Sequence, residues 1–208
     1  MLKSDRTLFE LNIYMTSAFN LSNYYQKVFS DITLSKGSIK DMEFEECRFV
    51  KLHLTDFKIE RCKFISCSFE NCILSALKPY NSTFYEVEFK ESKVIGCDWT
   101  LAKKVDSLSF SDSQISYSSF RFLKLPKLKL INCQAKEADF TEADLREGDF
   151  TLTDFQGAIF HKTNLSKTNF IKAVNYLVDI KSNNISKAKF SFPEAINLLK
   201  SLDITVEY

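Results

Sequence analysis

The chain has 208 residues, with 28 Lys and Arg against 27 Asp and Glu, a formal net charge of +1. That balance excludes a chain-wide electrostatic pull toward nucleic acid or an anionic membrane. Four Gly and three Pro are too few for a chain of tight hairpins, and 20 Phe point to one residue type filling one repeated environment.

No apolar run follows Met1–Arg6, so no signal peptide is expected. No window approaches the ~18 to 20 apolar residues of a membrane helix. The expected setting is cytoplasmic, with no membrane part. Residues 1–8 read as a lead-in or N-terminal cap.

From Phe9 a large apolar residue recurs every fifth position: Phe9, Tyr14, Phe19, Tyr24, Phe29, Leu34, Ile39, Phe44, Phe49, Leu54, Ile59, Phe64, Phe69 and Leu74. Pro79 breaks the series, which makes residues 78–81 an irregular corner. Phe84, Phe89, Val94 and Trp99 follow. One extra residue enters within 100–104, and the series resumes at Val105, Phe110, Ile115, Phe120, Leu125 and Leu130. After Ala135 come Phe140, Leu145, Phe150, Phe155, Phe160, Leu165 and Phe170. Asn175 interrupts, and Ile180, Ile185 and Phe190 finish the run. We call these positions centres.

Two residues before each centre lies a mostly small partner, such as Ser22, Cys47, Cys62, Ser82, Ser92, Cys97, Ser113, Ala138, Gly148 or Ala173. Residues two apart on an extended chain point to one side, so centre and partner both face inward. The next inward residue is three away, which requires a corner. Five residues therefore make one short strand and one corner, a period that fits neither an α-helix nor a long alternating strand.

Four repeats per coil stack like on like. One column then reads Phe9, Phe29, Phe49, Phe69, Phe89, Phe110, Leu130, Phe150, Phe170, Phe190. Three repeats per coil would mix it. The column survives the insertion near 100–104, which reads as a corner bulge outside the core. At a strand spacing of ~4.8 Å, about nine coils would make a rod roughly 40 to 45 Å long. The expected class is an all-β solenoid over residues 9–190, followed by a short capping helix and tail over 191–208. Pro193 suits the first turn of that helix, Ser191 could cap it, and Ile196, Leu199 and Leu202 form one apolar stripe.

The segment Ala138-Asp139-Phe140-Thr141-Glu142-Ala143-Asp144-Leu145-Arg146-Glu147 carries the A(D/N)Lxx signature and resembles the pentapeptide-repeat family. That resemblance implies a right-handed quadrilateral β-helix. The ending, from Val178-Asp179-Ile180 through Lys187–Ala195 to Asp203–Tyr208, is similar to the quinolone-resistance (Qnr) and McbG-type proteins. Those relatives are non-enzymatic and protect DNA gyrase and topoisomerase IV from poisons. The resemblance implies a homodimer through the C-terminus, with Phe192, Pro193, Ile196, Leu199, Leu202, Ile204 and Val206 as cap or dimer residues. The alternative is a scaffold of the same fold that binds a different protein.

Chemistry-bearing residues read as structural. All six cysteines sit at partner positions, and their five-residue spacing lacks the short ligand gap of zinc sites. His53 and His161 flank centres and face outward. An interior filled by Phe, Leu and Ile leaves no cleft, so no enzyme activity, cofactor or metal is expected.

Asp139, Asp144, Asp149 and Asp154 precede four successive centres and ring the rod. They are candidate partner contacts, though Asp at such turns commonly bonds nearby backbone. Lys103, Lys104, Lys124, Lys127 and Lys129 precede this ring, and Lys104 and Lys124 should stack on one face. A mimic of duplex DNA needs a long negative surface, which these counts do not supply, and direct nucleic-acid binding is not expected. The two irregular corners make Lys78, Tyr80, Lys103 and Lys104 the remaining candidate partner contacts.

Overall fold

The computed structural model describes residues 21–202 together with Phe19 and Ile204. The expected centres Phe9 and Tyr14, the lead-in at 1–8 and the candidate Val206 lie outside the described residues. The chain winds as a parallel β-solenoid of about eight turns, with one short helix near the C-terminus.

Each strand pairs in parallel with the strand one coil away. Tyr24 pairs with Phe44, Leu34 with Leu54, Ile39 with Ile59 and Phe49 with Phe69. These four pairings lie on four successive sides, so four repeats make one coil. Across the insertion the step becomes one residue longer, as in Phe84 with Val105 and Phe89 with Phe110. The extra residue is taken up by a single 3₁₀ turn at Trp99–Leu101, with Asp98 as its N-cap. Trp99 itself stays fully buried, so the core column is unbroken.

The predicted Phe column forms a stack of rings. Phe49 and Phe69 lie 4.5 Å apart between centroids, Phe69 and Phe89 4.9 Å, and Phe89 and Phe110 4.8 Å, all within 17° of parallel. A second stack runs Tyr24, Phe44, Phe64, Phe84 on the neighbouring side. Across the axis the rings meet edge to face, as Phe44 does with Phe49 at 69°. Both arrangements suit the aromatic quadrupole. Several partner positions are also filled by large side chains: Leu52, Phe57 and Leu77, which fill the interior where the centres are aliphatic or proline, and Val87 ahead of Phe89.

Every regular corner places the residue two beyond the centre in the left-handed region, from φ +48° at Asp56 to +71° at Gly157. Only two of these residues are glycine, Gly96 and Gly157. For the others that conformation is unfavourable by about 1–2 kcal/mol each. At most corners it is offset because the N–H donates to the next coil, as Asp41 does to the Glu60 carbonyl at 3.0 Å and Phe122 to Thr141 at 3.0 Å. At Gly148 the demand is space, since a Cβ would meet the Leu145 and Leu128 carbonyl oxygens at 3.0 and 3.1 Å.

The partner position has a hydrogen-bonding task. Ser92 donates from its hydroxyl to the Phe69 carbonyl at 3.1 Å and accepts from the Cys72 N–H at 3.0 Å. Ser82, Thr153 and Asn183 repeat this bridge. Cys47, Cys67, Cys72 and Cys133 donate to the matching carbonyls of Tyr24, Phe44, Phe49 and Phe110. Where the partner is Ala, the corner closes on itself. The N–H groups of Ala138, Ala143 and Ala158 reach the carbonyls three residues back. Either way the buried carbonyl is satisfied.

Pro79 sits at a centre and is buried. Ile59 and Trp99, its neighbours in the column, donate N–H bonds to the Lys78 and Ser119 carbonyls. Proline has no N–H to continue that row.

One expectation fails near the C-terminus. Ile180 was to be a centre, but Val178 pairs with Phe160 and is buried beside Tyr176, while Ile180 is half-buried. Asn175 causes this. It adopts φ +57° and bonds Asp154 through its side chain, so the chain corners early and reaches the core two residues ahead. A turn closed by the Asn183 N–H on the Asp179 carbonyl restores the register, and Asn164 again opposes Asn184.

The C-terminal helix, Glu194–Leu202, is 3₁₀ rather than α. Its third-residue row Ala195, Leu198, Ser201 faces the last coil. Leu198 packs on the core, and the Ser201 hydroxyl accepts from the Ile180 N–H at 3.4 Å. The expected stripe Ile196, Leu199, Leu202 is the adjacent, half-buried row. Ser191 caps with its backbone carbonyl, which accepts from the Ala195 N–H, because its hydroxyl is taken by the Lys172 N–H.

The six cysteines are free and buried. Burial pushes Cys67 and Cys133 up to about 12 and Cys72 to about 11, and raises Cys62 and Cys97 as well. These five thiols stay protonated, and Cys62, Cys67, Cys72 and Cys133 donate hydrogen bonds in that form.

Two outcomes follow for stability. Ser92→Ala leaves a buried N–H and a carbonyl unmatched and should lower unfolding free energy by about 1–3 kcal/mol, whereas Ser92→Cys should retain most of it, measured by urea denaturation. Unfolded thiols ionise near ~8.5. Above that pH the unfolded chain holds fewer protons than the folded one, so stability falls as pH rises from about 8.5 toward 12. A Cys67→Ser, Cys133→Ser double variant should show a shallower alkaline decline in the denaturation midpoint than the parent.

Candidate functional site

The stacking register decides which surface charges meet. Residues twenty apart share a position on successive coils. Lys40 pairs with Glu60 at 3.0 Å, Arg61 with Asp41 at 2.6 Å and Lys63 with Glu43 at 2.9 Å. Further along, Lys162 faces Glu142 at 4.0 Å and Lys167 faces Glu147 at 3.2 Å. Arg61 holds the Asp41 carboxyl below its ordinary range, and Lys167 does the same for Glu147. Each exposed pair contributes little, ~0–1 kcal/mol. Their joint effect is to alternate charge along the rod, so no continuous negative stripe runs through these coils.

The edge between the fourth side (Ser38–Lys40, Lys58–Glu60) and the first (Asn23–Tyr25, Glu43–Glu45) breaks this rule for three coils. The irregular corner at 78–81 and the insertion at 100–104 adjoin there. Asn81 donates to the Leu101 carbonyl at 2.9 Å, and Lys103 to the Ser82 carbonyl at 2.9 Å. The next coil adds Arg121, Phe122 and Lys124, all exposed. Tyr80, Lys103 and Lys104 are exposed beside them. Lys104 lies over the Tyr85 ring at 5.5 Å and Arg121 over the Phe122 ring at 5.1 Å. Arg121 and Phe122 were not singled out by sequence, although their twenty-residue offset from Leu101 and Ala102 carries the signal. Lys78 stands apart from this edge. It faces Asp56 at 2.9 Å and lines a shallow polar depression with Lys36, Lys40, Lys58 and Glu60.

The Asp ring is tied to backbone. Asp139, Asp149 and Asp154 accept from the N–H groups of Thr141, Thr151 and Gln156 at 2.9, 3.2 and 3.0 Å, and Asp144 accepts from Arg146 at 3.3 Å. Asn164 and Asn169 in the next coil donate to Asp144 and Asp149. The four lie on four different sides, so no one partner face gathers them.

At the C-terminal end Phe192 is 87% exposed and Ile204 54% exposed. Pro193 is exposed beside Phe192. His53 is half-buried and His161 exposed. Among the described residues no three His, Cys, Asp or Glu side chains gather as metal ligands would, and no helix is long and apolar enough to cross a membrane.

Residues 129–173 match the family of pentapeptide repeats, in eight copies. No curated protein matches the chain by sequence. Among solved structures, a trypsin-treated variant of QnrB1, a plasmid-mediated fluoroquinolone resistance protein, is similar with a TM-score of 0.75 at 16% identity, over 89% of this chain and 99% of that one. A second trypsin-treated QnrB1 variant gives a TM-score of 0.68, also at 16% identity, over 89% and 100% of the two chains. Residues 129–173 thus carry the pentapeptide repeat, and the described solenoid shares the fold of the QnrB1 structures.

Proposed function

We propose that the chain is a non-enzymatic interaction rod that binds a type II topoisomerase, DNA gyrase or topoisomerase IV, and protects it from poisons such as fluoroquinolones. The observation that carries this reading is the fold match to QnrB1 along nearly the whole of both chains. The interior supports a role without catalysis, because it is filled by stacked Phe rings and aliphatic side chains. In this reading the protein works in the cytoplasm as a homodimer. Phe192, Ile204 and the outer helix row Ile196, Leu199 and Leu202 supply the apolar contact between copies.

The alternating surface charge favours one feature of the second reading, a scaffold for another protein. Duplex mimicry calls for a continuous negative face. Ion pairs between successive coils interrupt that face here. The topoisomerase would therefore be held through local patches and not by imitation of a DNA backbone.

A gyrase supercoiling assay with and without a fluoroquinolone tests the reading. Purified protein should restore supercoiling in the presence of the drug in a dose-dependent way. Absence of both rescue and inhibition over a wide concentration range removes the topoisomerase and leaves the scaffold.

A further inference from the structure

We propose that the edge formed by Tyr80, Lys103, Lys104, Arg121, Phe122 and Lys124 docks a short acidic segment of a protein partner. The proposal rests on the reading of the chain as an interaction rod, but not on the partner being a topoisomerase.

Three observations carry it. The first is charge. Lys104 and Lys124 occupy the same position on successive coils, immediately before the centres Val105 and Leu125. Like charges so placed are unfavourable; Glu43 with Lys63 and Glu147 with Lys167 pair acid with base at such positions, and where Lys58 and Lys78 align, Asp56 neutralises Lys78 at 2.9 Å. Lys104 and Arg121 reach only Asp106 at 3.3 Å and Asp139 at 3.6 Å. Among the described residues no carboxylate lies within ion-pairing distance of Lys103 or Lys124.

The second is Phe122. It is 58% exposed and sits in the left-handed region at φ +62°. The same corner on other coils carries Asp41, Arg61, Asn81, Glu142 and Lys162. A bulky aromatic there is unfavourable both in backbone conformation and in hydration. The ring lies outside the core and fills no interior space; Arg121 covers it only from one side. Covered by a ligand, it would add an apolar anchor between cations.

The third is length. Three coils span roughly 10–14 Å along the rod at the strand spacing. Ion-paired Asp41, Arg61, Glu43 and Lys63 lie on one side, and Glu142 and Asp144 on the other. The span fits three or four extended residues bearing two or more carboxylates. A polynucleotide would run its phosphates onto Glu142 and Asp144 and be repelled, so a peptide is the better fit.

Fluorescence anisotropy with the full chain tests this directly. The probes are a fluorescein-labelled Glu tetrapeptide, a Gln tetrapeptide and a twelve-nucleotide oligo-dT. The Glu peptide should bind the parent protein. A Lys103→Glu, Lys124→Glu double variant should weaken it at least about tenfold. Phe122→Ala should weaken it several-fold, and Lys162→Glu, one coil beyond the acids, should leave it within about twofold. Circular dichroism confirms that the exposed substitutions leave the fold intact. Equal binding of the Glu and Gln peptides, or of parent and double variant, overturns the proposal. So does oligo-dT binding more tightly than the Glu peptide. Peptide binding without gyrase rescue upholds the edge and removes only the topoisomerase. Gyrase rescue by the double variant, with no peptide binding by the parent, removes only the edge.

Discussion

Backbone hydrogen bonds that run from each coil to the next hold residues twenty positions apart in register, and the interior and surface are built on that spacing. It sets Phe49 on Phe69 inside and Arg61 beside Asp41 outside. It also penalises any change in coil length. Among the described residues there are two such changes, the added residue at Trp99–Leu101 and the early corner at Asn175. The two fully buried side-chain polar atoms without a partner among the described residues are Trp99 Nε1 and the Tyr176 hydroxyl. One lies at each irregularity. Burial accordingly pushes Tyr176 up to about 12. Regular coils satisfy their buried polar groups, and the irregular ones leave a group unmatched.

The same register explains why the partner position accepts Cys, Ser, Thr and Asn almost interchangeably. Each can donate to a carbonyl of the preceding coil, and the oxygen-bearing ones also accept an N–H from it. Ala and Gly become acceptable where the corner closes on its own carbonyl, which happens mostly beyond Ser113. Small size is a necessary condition at most of these positions. Hydrogen-bonding capacity decides which small residue serves.

Much of the architecture is legible in the sequence because it depends on period alone. The fivefold recurrence, the four sides and the Phe column need only residue size and strand geometry. Ile180 misleads because it keeps the period, while Asn175 diverts the backbone through a left-handed conformation that periodicity does not encode. The helix row is misplaced for a similar reason. A 3₁₀ helix aligns every third residue, so Ala195, Leu198 and Ser201 share the inner side. The basic edge is partly legible. Lys104 and Lys124 align by arithmetic, but the approach of the 78–81 corner to the insertion depends on how the extra residue folds.

Alternating charge leaves most of the rod electrically quiet, and the basic, aromatic edge stands out against it. Fold, edge and candidate end contact all presuppose four repeats per coil. Thr55 and Gln156 occupy the same outer position on the third side and are both exposed. The ladder from Ile73–Ser75 onward places them five coils apart. Spin labels at Thr55→Cys and Gln156→Cys, with the buried native thiols protected, would report that separation by double electron–electron resonance. A narrow distribution near ~24 Å is expected for five strand spacings. A value near ~32 Å, the spacing for three repeats per coil, or a broad distribution would contradict the four-sided stack.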